Sequence, residues 1–187
     1  HDIPLFIEKD HFRVVHACWD NVAIERLKEY SPTHCLGEDF LHETIVKDSV
    51  ASRLVDKLTR GTALELPDGE MILGKDGLAR NMFRTKFWSE DPHVYNDVVF
   101  QPDPLPTEMG RRPLSAIEKQ QLLSYSSSEL PVFVGHYWMS GEPQPIQNNI
   151  ACLDYSAVKY GSLVAYRMDQ EDVLSKDKFV WVDVSRV

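Results

Sequence analysis

A basic surplus is the first thing this sequence lacks. Its 187 residues carry 20 Lys and Arg against 29 Asp and Glu, a formal net charge of −9 at neutral pH. A nonspecific binder of nucleic acid or of an anionic membrane surface carries the opposite sign, so neither partner is expected. A phosphate-bearing substrate would need local positive charge, such as a metal ion, to overcome that global field. Long apolar runs are missing as well. No stretch approaches the ~20 apolar residues that cross a bilayer, and no basic-then-apolar export signal opens the chain, so a cytoplasmic location is expected. Cysteine is scarce: Cys18, Cys35 and Cys152 are too few for a disulfide scaffold and have no C-x-x-C spacing, which fits a reducing compartment. Internal repeats and low-complexity tracts are absent. What remains, 43% apolar and 26% charged residues, is the composition of an ordinary globular protein of one domain with an elaborated edge. The first residue is His1 rather than Met, and Ile3-Pro4-Leu5-Phe6-Ile7 reads like the interior of a fold. The chain is therefore expected to be a piece of something longer.

Short apolar runs and turn residues place the elements. Leu5-Phe6-Ile7-Glu8 and Phe12-Arg13-Val14-Val15-His16, joined at Lys9-Asp10, predict a hairpin whose second strand ends at His16. A helix over about 22–30 is capped by Asp20 or Asn21 and stopped by Pro32. A second, about 49–59, has Val50, Leu54 and Leu58 on one face and Gly61 at its end. Between about 62 and 92 the turns Pro67-Asp68-Gly69 and Lys75-Asp76-Gly77 separate short apolar runs, which predicts a β-meander. The proline-rich stretch 91–112 predicts an exposed loop, so about 62–112 is read as a hairpin and loop insertion, the part expected to cover a site. Ser115 and Glu118 form a capping box that should start a helix through about Ser124. Strands are expected over 131–135, 149–153, 162–168 and 179–184.

Two of the seven histidines share a setting. Val14-Val15-His16-Ala17 and Phe133-Val134-Gly135-His136 each close a short apolar run ahead of small or turn-prone residues. Each imidazole should project from a strand end into a loop, where open α/β sheets place ligands. Imidazole is the commonest side-chain metal ligand, and two converging from different strands supply half a coordination shell. The alternative is two core or rim histidines making ordinary hydrogen bonds.

A strand ending in Val15-His16-Ala17, the later Val132-Phe133-Val134-Gly135-His136-Tyr137-Trp138, Cys152-Leu153-Asp154-Tyr155-Ser156, Gly161 to Arg167, and Phe87-Trp88-Ser89-Glu90-Asp91-Pro92 occur together here. With them the chain resembles the C-terminal half of a calcineurin-like metallophosphoesterase. It is most similar to the bacterial branch akin to serine/threonine protein phosphatases and symmetrical diadenosine-tetraphosphate hydrolases. The resemblance implies an α/β (α+β) fold that forms part of a layered α/β/β/α sandwich, mostly its C-terminal sheet with flanking helices. It implies two divalent metal ions, Mn, Fe or Zn, with His16 and His136 as ligands of the second, and hydrolysis of phosphomonoesters or dinucleoside polyphosphates by a metal-bound hydroxide. Substrates of such an enzyme are phosphorylated small molecules, nucleotides or phosphoproteins. The family's Gly-Asp-x-His-Gly, Gly-Asp-x-x-Asp-Arg-Gly and Gly-Asn-His-Glu or Gly-Asn-His-Asp segments, which hold the other ligands and the catalytic histidine, do not occur here. No catalytic residue is expected within these 187 residues, so the parent would be the enzyme. The chain alone should be inactive, holding metal weakly or not at all. The competing reading is a degenerate member that acts as a non-catalytic binding or regulatory module.

Other residues invite weaker expectations. Among Arg80, Arg84 and Lys86, Arg84 is the candidate for a substrate phosphate, because a guanidinium offers a bidentate fork; the alternative is the solvent face of a strand. Tyr137 and Trp138, beside the second histidine, would wall the substrate site or stack on a base, unless they are core. Cys18 reads as a small buried residue, and Asp154 and Tyr155 as holders of a turn. A half-fold with exposed sheet surface should associate with another copy or with its missing half.

Overall fold

A computed structural model describes residues 3–31, 37–73, 77–101 and 105–185. The first strands, β1 (Phe6–Glu8) and β2 (Arg13–Val15), form the expected antiparallel hairpin with Phe6 opposite Val15. Arg13 fastens it by bridging Glu8 at 3.1 Å and Glu129 at 2.9 Å while its guanidinium lies 4.7 Å over the Trp19 ring. Helix α1 (Asn21–Tyr30) begins where the Asp20 carboxylate accepts hydrogen bonds from the Val22 and Ala23 N–H groups, and it buries Ala23, Ile24 and Leu27. Helix α2 (Glu38–Thr44) has no counterpart among the expected elements: Phe40 is its one buried residue, so no apolar stripe marks it. Helix α3 (Val50–Arg60) buries Ala51, Leu54 and Leu58, and Lys57 and Arg60 in its last turn complement the helix dipole.

The chain forms two units, one of residues 1–60 and 127–187, the other of residues 61–126. The second unit contains β3 (Ala63–Glu65), β4 (Ile72–Leu73), β5 (Ala79–Arg80), β6 (Met82–Thr85), α4 (Tyr95–Val98), β7 (Val99–Gln101), α5 (Thr107–Gly110) and α6 (Ala116–Gln121). Strands β3, β6 and β7 make one antiparallel sheet and β4 and β5 a second. Lys75 and Asp76 of the expected turn lie outside the described residues. The described residues 91–101 and 105–112 are not the loop that their prolines suggest. They supply Tyr95, Val98, Val99 and Met109 to a core with Leu64, Leu66, Ile72, Phe83 and Leu114. Single apolar residues spaced between prolines show no period, yet each is buried once the chain folds back on the β3-β6-β7 sheet. The capping box at Ser115 and Glu118 is present. Its helix stops at Gln121, short of Ser124, because Leu122 is already extended, at φ −71° and ψ 138°.

The first unit resumes with β8 (Val132–Val134), β9 (Ile150–Cys152), β10 (Asp154–Tyr155), β11 (Ser162–Tyr166) and β12 (Phe179–Asp183). Its main sheet has the order β1-β2-β8-β9, and the pairs β2·β8 and β8·β9 are parallel. All three residues of β8 and of β9 are buried, as expected of parallel strands covered on both faces. Strands β10, β11 and β12 form an antiparallel sheet that shares a core with the first: Phe133 and Ala151 pack with Tyr155, Val164, Leu174 and Phe179. Tyr166 lies between Phe133 and Phe179 at centroid distances of 5.1 and 5.0 Å. The opposite face of β11 and β12 leaves Leu163, Val180 and Val182 exposed. The fold is α+β. No described helix is long and apolar enough to cross a membrane.

Candidate functional site

Three adjacent parallel strands end at one place. β2 runs into His16, β8 into Gly135 and His136, and β9 into Leu153 and Asp154. Backbone bonds lock the ends in register: the Gly135 N–H donates to the His16 carbonyl at 2.9 Å and the Leu153 N–H to the Val134 carbonyl at 2.8 Å. Beyond the strands, the Met139 N–H reaches the Asp154 carbonyl at 2.8 Å. The His16 and His136 rings are thereby 5.4 Å apart between centroids, tilted by 58°. The backbone here is strained. His136 and Trp138 have φ of 66° and 47°, left-handed values that cost a non-glycine residue ~1–3 kcal/mol and persist where the surroundings enforce them, often at ligand sites.

The His16 loop is held from below by the end of α3. The Ala17 N–H donates to the Leu58 carbonyl at 2.8 Å, and the Cys18 thiol to the Lys57 carbonyl at 3.2 Å. Both acceptors are carbonyls of the last helical turn, which have no partner inside the helix. Lys57 Nζ then meets Asp20 Oδ2 at 2.8 Å, while Asp20 Oδ1 caps α1. Ala17 and Cys18 are fully buried and neither takes a positive φ, so this loop has no need of glycine. Burial, reinforced by the charge of Asp20, pushes the Cys18 thiol up to about 12, and burial pushes Cys152 up to about 11. Both remain thiols at neutral pH in the metal-free chain.

Two imidazoles bound at ~2.1 Å around one roughly tetrahedral ion have centroids ~5 Å apart, close to what is seen. Among the described residues no group of three or more His, Cys, Asp or Glu side chains is placed to hold a metal. Asp154 stands at the third strand end, but its Oδ1 accepts from the Ser156 N–H at 3.0 Å and closes a turn. A groove of about 460 Å³ with Leu5, Phe6, Val15 and Phe133 among its apolar walls opens beside His16 and Asp154.

The other sequence-derived candidates separate. Tyr137 is 0% exposed and packs edge-on against His136 at 5.8 Å; it backs the imidazole and is not a wall that a dissolved ligand meets. Trp138 is 54% exposed. Arg84 lies on β6, in the unit of residues 61–126. Two participants had no signal in the sequence: Lys57, which restrains the His16 loop, and Lys159, whose Nζ lies 3.6 Å from the centroid of the Trp138 ring. Asp154 holds a turn through its Oδ1, the role its sequence setting suggests. No family model matches the chain, and no curated protein and no solved structure matches it.

Proposed function

We propose that this chain is the C-terminal part of a cytoplasmic metal-dependent phosphoesterase and contributes two ligands, His16 and His136, to its metal centre. One observation carries the proposal: two imidazoles, 120 positions apart in the sequence, meet at 5.4 Å at the C-terminal ends of neighbouring parallel strands. The motif resemblance supports the phosphoester class, and the free, buried Cys18 and Cys152 fit a reducing compartment. A bound pair of divalent ions, Mn, Fe or Zn, would supply Lewis acidity and a water acidified toward hydroxide. The chain's own residues orient that chemistry. Exposed His16 presents its ring from a loop clamped by α3, and His136 is held by Tyr137 behind it and by its constrained backbone. In a protein of net charge −9, cations held at this point would offset the repulsion of a phosphate. Two imidazoles without a bridging carboxylate hold metal weakly, so the chain by itself should not hydrolyse p-nitrophenyl phosphate or diadenosine tetraphosphate.

Manganese titration followed by histidine NMR tests the assignment. The ring signals of His16 and His136 should broaden first and together, and His136→Ala should release His16 from the effect. In the complete polypeptide, replacing both histidines by Ala should lower metal affinity and manganese-dependent hydrolysis. Unchanged metal affinity in that double variant would make the pair structural and leave a non-catalytic module.

A further inference from the structure

We infer that Trp138 and Lys159 form a recognition site for a planar aromatic group carrying a phosphate, of which a nucleoside monophosphate is the simplest example. Trp138 presents a large ring two residues beyond His136 with 54% of its surface exposed. Lys159 Nζ sits 3.6 Å from the ring centroid and covers one face. With the residue half exposed, ring surface away from Lys159 is reachable from solvent, and an accessible indole is a surface on which bases stack.

Both side chains come from fixed backbone. Trp138 has φ 47° between His136 at φ 66° and Met139, whose N–H is bonded to the Asp154 carbonyl. Lys159 ends the turn Ala157–Lys159, with Ser156 and Tyr160 on either side at φ 58° and 62°. The Ser156 carbonyl accepts from the N–H groups of Lys159 at 2.8 Å and Gly161 at 3.0 Å. Left-handed backbone at Trp138 and at the Ser156 and Tyr160 ends of the Lys159 turn marks a surface whose shape is set before any ligand arrives.

The charge on Lys159 is the second observation. In a chain with 29 acidic residues, no described carboxylate pairs with this ammonium, which rests on the indole instead. Its three donors suit a phosphate oxygen, and the ring surface it leaves uncovered suits a base. That the phosphate would then face the histidine pair rests on the phosphoesterase proposal; the binding itself does not.

The experiment titrates the chain with adenosine monophosphate, ribose 5-phosphate and adenosine, following the Trp138 indole N–H signal, assigned through Trp138→Phe. Adenosine monophosphate should shift that signal and bind about tenfold tighter than ribose 5-phosphate, the gain expected of one stacked base. Trp138→Ala should abolish the preference and Trp138→Phe retain most of it. Lys159→Gln should weaken both phosphates by a similar factor and leave adenosine unaffected. Equal binding of the two phosphates, or binding that leaves the Trp138 signal unmoved, overturns the proposal, as does an equal loss of both phosphates in Trp138→Ala. Manganese added to the same samples separates the two proposals. Broadening at His16 and His136 without a nucleotide effect at Trp138 removes this site alone, and the converse supports this site while removing the metal centre.

Discussion

Asp20→Ala should loosen the loop that carries His16, because one carboxylate performs two tasks there. Oδ1 accepts from the Val22 and Ala23 N–H groups at 2.9 and 3.1 Å, and Oδ2 meets Lys57 Nζ at 2.8 Å. Loss of the cap costs about 1.5 kcal/mol, within the range for Asp-to-Ala at helix N-caps. The ion pair adds only about 0.5 kcal/mol, because the Lys57 side chain is 42% exposed and water can replace its partner. The total of about 2 kcal/mol corresponds to a melting point lower by about 4–8 °C for a chain of this size. Asp20→Asn keeps a competent cap and loses only the charge, so it should cost about 0.5 kcal/mol. Lys57→Met should match Asp20→Asn, and the double variant should add nothing. Thermal unfolding followed through the emission of Trp19, which is buried next to the cap, gives the global figure. Amide exchange at Val22 and Ala23 gives the local one, and the His16 ring shifts report whether the loop has moved. Equal damage from Asp20→Asn and Asp20→Ala would show that the charge, not the cap, holds the loop. Unmoved His16 signals in Asp20→Ala would refute the clamp.

Two further outcomes follow from the β10-β11-β12 part of the fold. Burial alone would raise Glu171, but hydrogen bonds from the Tyr166 hydroxyl at 2.7 Å and Lys178 at 2.9 Å outweigh it and hold the carboxyl down at about 2, against 4.5 when unconstrained. A lowered carboxylate stabilises the fold above its unfolded value and ceases to as pH falls through the folded one. Urea midpoints of the parent and Glu171→Gln should therefore differ at pH 6 and converge between about pH 4.5 and 2; a gap constant with pH would refute the linkage. At Gly161 an added Cβ collides with the Tyr155 carbonyl oxygen, a backbone atom that cannot swing aside. Gly161→Ala should cost at least ~2 kcal/mol, while Gly37→Ala, with no atom within 4 Å of the new methyl, should change stability by under ~0.5 kcal/mol; similar effects in thermal melts of the two would contradict the packing.

The amino-acid sequence by itself determined what depends on near neighbours. Asp20 ahead of an apolar stripe, the Ser115 and Glu118 box, and the runs around Val14 and Phe133 specify caps and strands within a few residues of themselves. With those strands come the positions of His16 and His136 at strand ends. Only the tertiary structure decided that β2, β8 and β9 lie parallel and adjacent, since pairing between distant segments, more than a hundred residues apart for β2 and β8, is settled by which faces bury most apolar surface and not by any local pattern. The same holds for α2 and for Tyr95, Val98, Val99 and Met109, whose isolated apolar side chains acquire a direction only from the core they enter. It holds for Lys57 beneath the His16 loop and for Lys159 over Trp138. A lysine's contacts depend on where a long, solvated chain is allowed to settle, and that is known once the surfaces around it have formed.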